Sequence, residues 1–570
     1  MTNTPDVWRL IRIALGEAGR TLRIGAAGLI GLGAVRPRTP DRLLIVPPDL
    51  RTSDATIADD IYAGSYVFAG RAVATGGRSP FLAEPPSDGW ADTLWGFSWL
   101  RHLSAADTAL ARANARALVD EFLRLARGPR LRKPEVAARR VISFLSQSPL
   151  VLDGADHAFY QRFMRQIARD LRIVARAATA HPRPIVRLQA SIALAYAGLT
   201  CEGCATMGRQ ATKLVRRELD AQILADGGHV GRNPRAVLDL LLDLLPLKQV
   251  YLARGLEPPD ALIKAIDRMP PMLRLLRHGD GTLSHFNGMG STPVDHLTML
   301  LFYDEGRASP LQRGLLSGYE RMEAGRLVLV ADVGAPPPPV FAADATAGAL
   351  SFELSSGEAR IVVNIGLPRD LTDPLAQPAR TTPAHSTITL EDASSATFAT
   401  QARGAIGRLA AAYAVRRLGP VVVDGPSEVH VARPGPHVLE ARHDGYARAF
   451  GLVHERRWSA AADGSRVAGS DTLVGNGKAG RAQARFHLHP SVRASLAQGG
   501  RVVLLALANG ETWQFVLEEP EAGVAAALED SLYLSATDGA RRARQIVVAF
   551  DPRATTRLAW RFERLTTSGR

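Results

Sequence analysis

Gly334-Ala-Pro-Pro-Pro-Pro-Val340 marks a change in the hydrophobic period of the chain, and the fold turns on that change. Ahead of it, from about Asp92 to Tyr303, apolar residues recur at three- and four-residue spacing, with Pro or Gly at the breaks. That is the pattern of amphipathic helices. It predicts helices over 105–127, 134–147, 155–179, 185–197, 206–224, 234–253 and 258–278, paired through short turns. Asn233 ahead of Pro234 is a strong helix start, since Asn caps free amides and Pro fills a first-turn position where no donor is required. Past Ala335 the pattern shortens to β-type segments at 349–354, 360–364, 386–390, 421–423, 428–431, 501–507, 512–517 and 545–550. Gly, Pro, Asp and Asn punctuate them and long crossover helices are missing, so an antiparallel sandwich fits better than a parallel sheet.

Helices first and strands second, in 570 residues, are too much chain for one hydrophobic core. The expected fold class is α+β multidomain. The segments are an N-terminal extension over 1–50, a helical domain over 51–325 and a β domain over 326–570. With 46% hydrophobic and 22% charged residues and no long biased tract, no disordered region is required.

The formal net charge of +13 gives the surface a positive field that concentrates polyanions. Lys occurs only at 133, 213, 248, 264 and 478, so nearly all basic residues are Arg, a skew that a GC-rich genome also produces. The Arg residues are scattered and form no basic arm, which argues against nucleic acid. The two cysteines, Cys201 and Cys204, lie between helical patterns and lack the four ligands of a structural zinc site. Packing or a local disulfide is expected of them. The apolar run over 24–35 is too short to span a bilayer and is poorly laid out for a secretory signal, which leaves room for a helix lying on a surface.

Three stretches together resemble the heparinase II/III family of polysaccharide lyases. The first is Trp95-Gly-Phe-Ser-Trp-Leu-Arg101. The second is Asp226-Gly-Gly-His-Val-Gly-Arg-Asn-Pro234 with, further on, His278-Gly-Asp-Gly-Thr-Leu-Ser-His-Phe-Asn-Gly288. The third is Ala349-Leu-Ser-Phe-Glu-Leu354, Val363-Asn-Ile-Gly366 and Arg380-Thr-Thr-Pro-Ala-His-Ser-Thr387. Each is weak alone; their order and spacing carry the resemblance over about residues 90–390. It implies an incomplete (α/α) toroid followed by an antiparallel β-sandwich, with a cleft that binds an anionic polysaccharide or oligosaccharide. The family's reaction is β-elimination at a uronate. One group neutralises the carboxylate, a base takes the C5 proton and an acid protonates the leaving oxygen, which requires positioned acid/base groups and charge stabilisation.

The resemblance makes His229 a candidate catalytic group, and a Gly-rich turn before a capped helix allows its imidazole to project towards a cleft. Arg232 and Asn233 share that rim as candidate substrate ligands, with capping an equal reading for Asn233. His285 and Asn287 sit among three glycines in the second loop, as fallback base and substrate ligand, or as parts of a solvated turn. Tyr251 is the candidate acid/base Tyr, against half-buried packing. Trp95 could stack on a sugar face, and Arg380 could hold a carboxylate. His385 resembles the His that in metal-containing relatives helps to bind zinc. The box that carries a His in those relatives reads Asp344-Ala-Thr-Ala-Gly348 here, and the usual Asp is Asn364. One neutral imidazole is a weak zinc site, so no metal and no other cofactor is expected. His385 then stands as a candidate catalytic group acting without metal. The leading expectation is a lyase; the other is a catalytically reduced binding or cell-surface polysaccharide assembly protein. The family points to the periplasm or cell envelope, and the weak N-terminal signal leaves the cytoplasm open.

Overall fold

A computed structural model describes residues 6–29, 39–125, 127–303, 310–368, 370, 372–477, 479–536 and 539–565, without the side chains of 24–29. The end of the apolar run noted above, 30–35, lies outside them.

The first half is helical, an incomplete (α/α) toroid. Helix Pro184–Thr200 is buried on almost every side, as suits a central helix, and lies against His157–Ala180, Ala205–Gln222 and Pro234–Ala253. Its partner Ala205–Gln222 buries one face, with the apolar stripe Met207, Ala211, Val215 and Leu219 and beside it Gly208, Glu218 and Gln222. The expected helix over 105–127 is two, Leu100–Ala106 and Ala109–Leu125, because Asp107 turns left-handed (φ 43°) and closes the first. Asn233 caps Pro234–Ala253 by accepting from the Arg235 N–H at 2.9 Å. Cys201 and Cys204 are buried free thiols in the turn between two helices, and Cys201 bridges to Leu43. No described helix is long and apolar enough to cross a membrane.

The second half is an antiparallel β-sandwich with no closed barrel. One sheet has eight strands, running in space from Val429–Gly435 through Val438–His443, Val453–Ala460, Arg466–Val474, Arg557–Arg564, Thr512–Glu518 and Val502–Ala506 to Arg493–Ala497. The other has nine, with Ala482–Leu488, Ala359–Val363, Phe352–Ser356, Leu327–Asp332 and Tyr319–Ala324 in succession. Between them pack Phe352, Trp458, Phe486, Trp513, Trp560 and Phe562, with the Phe352 and Trp560 rings stacked at 5.5 Å. The core also holds a buried charge: the Asp471 carboxylate accepts from Arg456, from His454 at 2.7 Å and from the Trp560 indole at 2.9 Å.

Strands begin earlier than the period change indicated. Tyr319–Ala324 and Leu327–Asp332 form a hairpin ahead of the proline run, turning at Gly325 with φ 53°. The β half also contains a helix, Ala405–Leu418, that the strand-like reading passed over; it packs on the N-terminal helix Val7–Leu29.

Candidate functional site

Where the toroid meets the β-sandwich, the two Gly-rich loops come together. A Cβ on Gly288 would lie 2.6 Å from the Asn233 amide, and one on Gly279 would lie 2.1 Å from the Gly357 carbonyl. No side chain longer than hydrogen fits at either contact. The loops are thereby pressed against each other and against the first β hairpins.

Around this junction the polar side chains are engaged by the protein itself. Arg232, held at φ 58°, donates to the carbonyls of Ser317 (2.7 Å), Gly334 (3.0 Å), Ala335 (3.1 Å) and Gly318 (3.0 Å), and pairs with the buried Asp332. Asn287 donates to Asp332 at 3.0 Å and to the Tyr319 hydroxyl at 2.9 Å, and accepts from the Thr346 amide at 3.2 Å. Tyr319 in turn donates to the Arg232 carbonyl, and burial raises its hydroxyl pKa. Asn233, besides capping its helix, donates to Asp344 at 3.0 Å. Arg232, Asn233 and Asn287 thus meet, but as a clamp between the two halves, and Arg232 and Asn287 have no donor directed at a cleft. That corrects the substrate-binding expectation for these two: a guanidinium saturated by four carbonyls and a carboxylate cannot also receive a uronate.

His229 lies beside them, buried. Its Nδ1 accepts from the Gly231 amide at 3.0 Å, leaving Nε2 to donate to Gln222 at 3.3 Å, and burial lowers its pKa to about 4. The Phe341 ring stands edge-on at 6.0 Å. The hollow bounded by His229, Asn233, Ile185, Val340, Phe341 and Asp344 holds about 30 Å³, enough for a water molecule. Val340, Phe341, Ala343 and Asp344, in the turn Pro339–Asp344 directly after the proline run, form one side of it.

A second cluster centres on Glu353, whose carboxylate pairs with Arg360, accepts from the amides of His285 (3.2 Å) and Asn364 (2.8 Å), and lies 3.2 Å from the His285 Nδ1. Despite its burial, the Glu353 pKa is held well below the usual value, chiefly by the Arg360 charge and by His285. His278 is in reach of Ser355 and Ser284. His385, close enough to feel the Glu353 charge, is buried with neither ring nitrogen hydrogen-bonded, and burial lowers its pKa to about 3. An imidazole so placed is neutral, with its one N–H and its lone-pair nitrogen both unbonded, and takes up a second proton only at a cost.

The remaining candidates lie elsewhere. Tyr251 shares a hydrogen bond of 2.6 Å with Thr212 on the neighbouring helix and has no contact with either His cluster. Trp95 is an aromatic core residue, edge-on to Phe81 and Phe122 at 6.5 and 5.8 Å, so it cannot stack on a sugar. Arg380 is fully buried over the Phe398 ring and donates to the carbonyls of Ala345 and Ala342. These bonds tie it to the turn Pro339–Asp344 and the residue after it, while its Nη1 is buried without a partner. Asp332, Tyr319, Glu353 and Phe341 organise the site, and only Glu353 lay in a motif that the sequence reading had quoted.

Zinc does not fit the residues present. Asn364 accepts from the Ser386 amide at 2.9 Å and turns its own amide group to Glu353, and Thr346 offers only a hydroxyl. Among the described residues no three His, Cys, Asp or Glu side chains are placed to hold a metal.

The family described as heparinase II/III-like, C-terminal, matches residues 306–561. FtsZ-localized protein C of Caulobacter vibrioides (strain NA1000 / CB15N) is 30% identical over 535 residues, covering 88% of this chain and 89% of that protein. Among solved structures, heparinase III superposes with a TM-score of 0.67 at 12% identity, over 86% of this chain and 79% of that one. A heparan sulfate lyase HepC mutant from Pedobacter heparinus does so with 0.59 at 14%, over 97% and 88%. At these identities the solved structures speak for the fold.

Proposed function

The chain belongs to the heparinase II/III-like family, and from that premise we propose that it is a non-cleaving member, a binding or assembly protein of the cell envelope on a polysaccharide-lyase fold. One observation carries this reading: the turn Pro339–Asp344 walls the hollow beside His229, which holds only about 30 Å³. Three further points support it. The hydrogen bonds of His229 are satisfied internally, its neighbours Asp344 and Thr346 supply no imidazole, and no Tyr hydroxyl meets it. β-Elimination needs a base and an acid within hydrogen-bond reach of one sugar. The test is ultraviolet absorbance of unsaturated uronate on incubation with heparan sulfate, chondroitin sulfate, alginate and polygalacturonate. No rise is expected with any of them; a catalytic rise with one restores the lyase reading.

A second observation favours a location. Helix Val7–Leu29 leaves Trp8, Leu15 and Leu22, at heptad spacing, 75%, 66% and 75% exposed, and the packed helix Ala405–Leu418 adds exposed Ile406 and Leu409. Arg12, Arg23 and Arg408 flank them. An apolar stripe bordered by arginines suits the interface of an anionic lipid surface. The relative's name, which places it with FtsZ, favours an FtsZ-containing assembly as the destination. Co-sedimentation with phosphatidylglycerol vesicles is expected, weakened by salt and by Trp8→Glu. Equal sedimentation of Trp8→Glu and the unaltered chain would remove the helix from that role.

A further inference from the structure

Strand Val429–Gly435 ends the eight-stranded sheet and pairs on one side only, with Val438–His443. The Glu428 carbonyl accepts from the Asp444 amide, which fixes the alternation: the backbone groups of His430 and Ala432 face the neighbouring strand, and those of Val429 and Val431 face outward. Among the described residues no backbone group reaches those two. Free edges are ordinarily blunted by charge, Pro or bulges. Here Arg433, Pro434 and the register shift between Ala432 and Gly435 blunt the far end alone.

The unblunted end opens on a groove of about 760 Å³ between the two halves of the molecule. It is lined by Val429 and Val431, by Leu315 and Leu316 in the turn between strands Arg313–Gly314 and Tyr319–Ala324, and by Val333 to Pro338. Leu315 and Leu316 are 68% and 61% exposed, an unusual place for consecutive leucines. At one end Arg313 (2.8 Å) and Arg433 (3.4 Å) share the single Glu320 carboxylate, which leaves one positive charge over.

We propose that this edge and groove dock an extended peptide segment of a partner protein, apolar at alternate positions and acidic where it meets Arg313 and Arg433. The segment adds a strand to the sheet, pairing with the outward amides and carbonyls of Val429 and Val431, while its apolar side chains cover Leu315 and Leu316. The proposal does not depend on whether the chain cleaves polysaccharide.

The probe is a short capped peptide of alternating valine and threonine with two aspartates at one end, fluorescently labelled and titrated against the full chain. Saturable binding is expected, together with slowed amide exchange at Val429 and Val431. Val431→Pro removes one outward N–H and leaves the rungs to the next strand, and is expected to weaken binding about tenfold, the worth of one hydrogen bond. Should that variant misfold, the peptide N-methylated at alternate residues tests the same bond on the unaltered chain and is expected not to bind. Unchanged exchange at Val429 and Val431, or equal binding of the N-methylated peptide, overturns the proposal. So does a dimer of the chain formed through this edge, because the occupant is then a second copy.

Discussion

Arg232 shows how a residue that reads as a ligand becomes a fastener. Its side chain lies on the path between the Gly-rich loop and the first β hairpin, and buried carbonyls together with Asp332 leave it nothing to offer a substrate. Replacing Asp332 by Ala strands that guanidinium, and loss of one partner from a buried pair costs about 3–5 kcal/mol. Denaturant unfolding should show the loss, with the double variant Arg232→Met/Asp332→Leu recovering much of it. The histidines set the acid limit. Burial lowers His229 and His487 to about 4 and His385 to about 3, below the ordinary imidazole value of about 6.5. A group whose folded pKa is depressed binds protons more readily when unfolded. Stability is therefore full above about pH 6.5 and falls as pH drops towards 4. Each such imidazole contributes on the order of 3 kcal/mol to that fall. Melting temperatures measured from pH 7 to pH 4.5 should decline, and less steeply in His229→Gln; an equal slope would show that the imidazole titrates as it does in the unfolded chain.

Among the elements, the turn Pro339–Asp344 walls the hollow beside His229. Truncating its contact with His229, as in Phe341→Ala, enlarges the hollow but supplies no imidazole at 344 or 346. That variant should take up small ligands without producing unsaturated uronate, as crystallography and absorbance would show. The loop contacts are tighter: Gly279→Ala drives a methyl to within 2.1 Å of the Gly357 carbonyl and should lower stability by roughly 1–3 kcal/mol in thermal unfolding. Much of this was legible beforehand. The period change and the capped helix at Pro234 follow from local pattern. What the two Gly-rich loops meet was not. Asp332 and Tyr319 lie roughly one hundred residues from Arg232, in strands of which one is mixed in pattern and the other apolar, and neither pattern names a distant partner. The Ala405–Leu418 helix escaped because it stands among β segments with a weak apolar stripe.

Taken whole, the molecule has two large cores joined by polar fasteners rather than by a linker. Leu275 and Arg277 accept from Arg321, Gly357 abuts Gly279, and Arg232 spans to Gly334. The toroid and the sandwich should consequently unfold in one calorimetric transition, and Asp332→Ala should split it into two. Two resolved transitions in the unaltered chain would mean that the fasteners carry little energy.

The four prolines, Pro336 to Pro339, that lead into the turn beside His229 bear on any ligand that would enter the hollow there. A tethered occupant never dilutes: its local concentration is fixed by the few residues that hold it, at millimolar or above for short tethers. The prolines, being stiff before folding, lose little freedom on docking. A ligand that enters this hollow would therefore have to displace a competitor built into the chain, and its apparent affinity would be its intrinsic affinity divided by the turn's own hold.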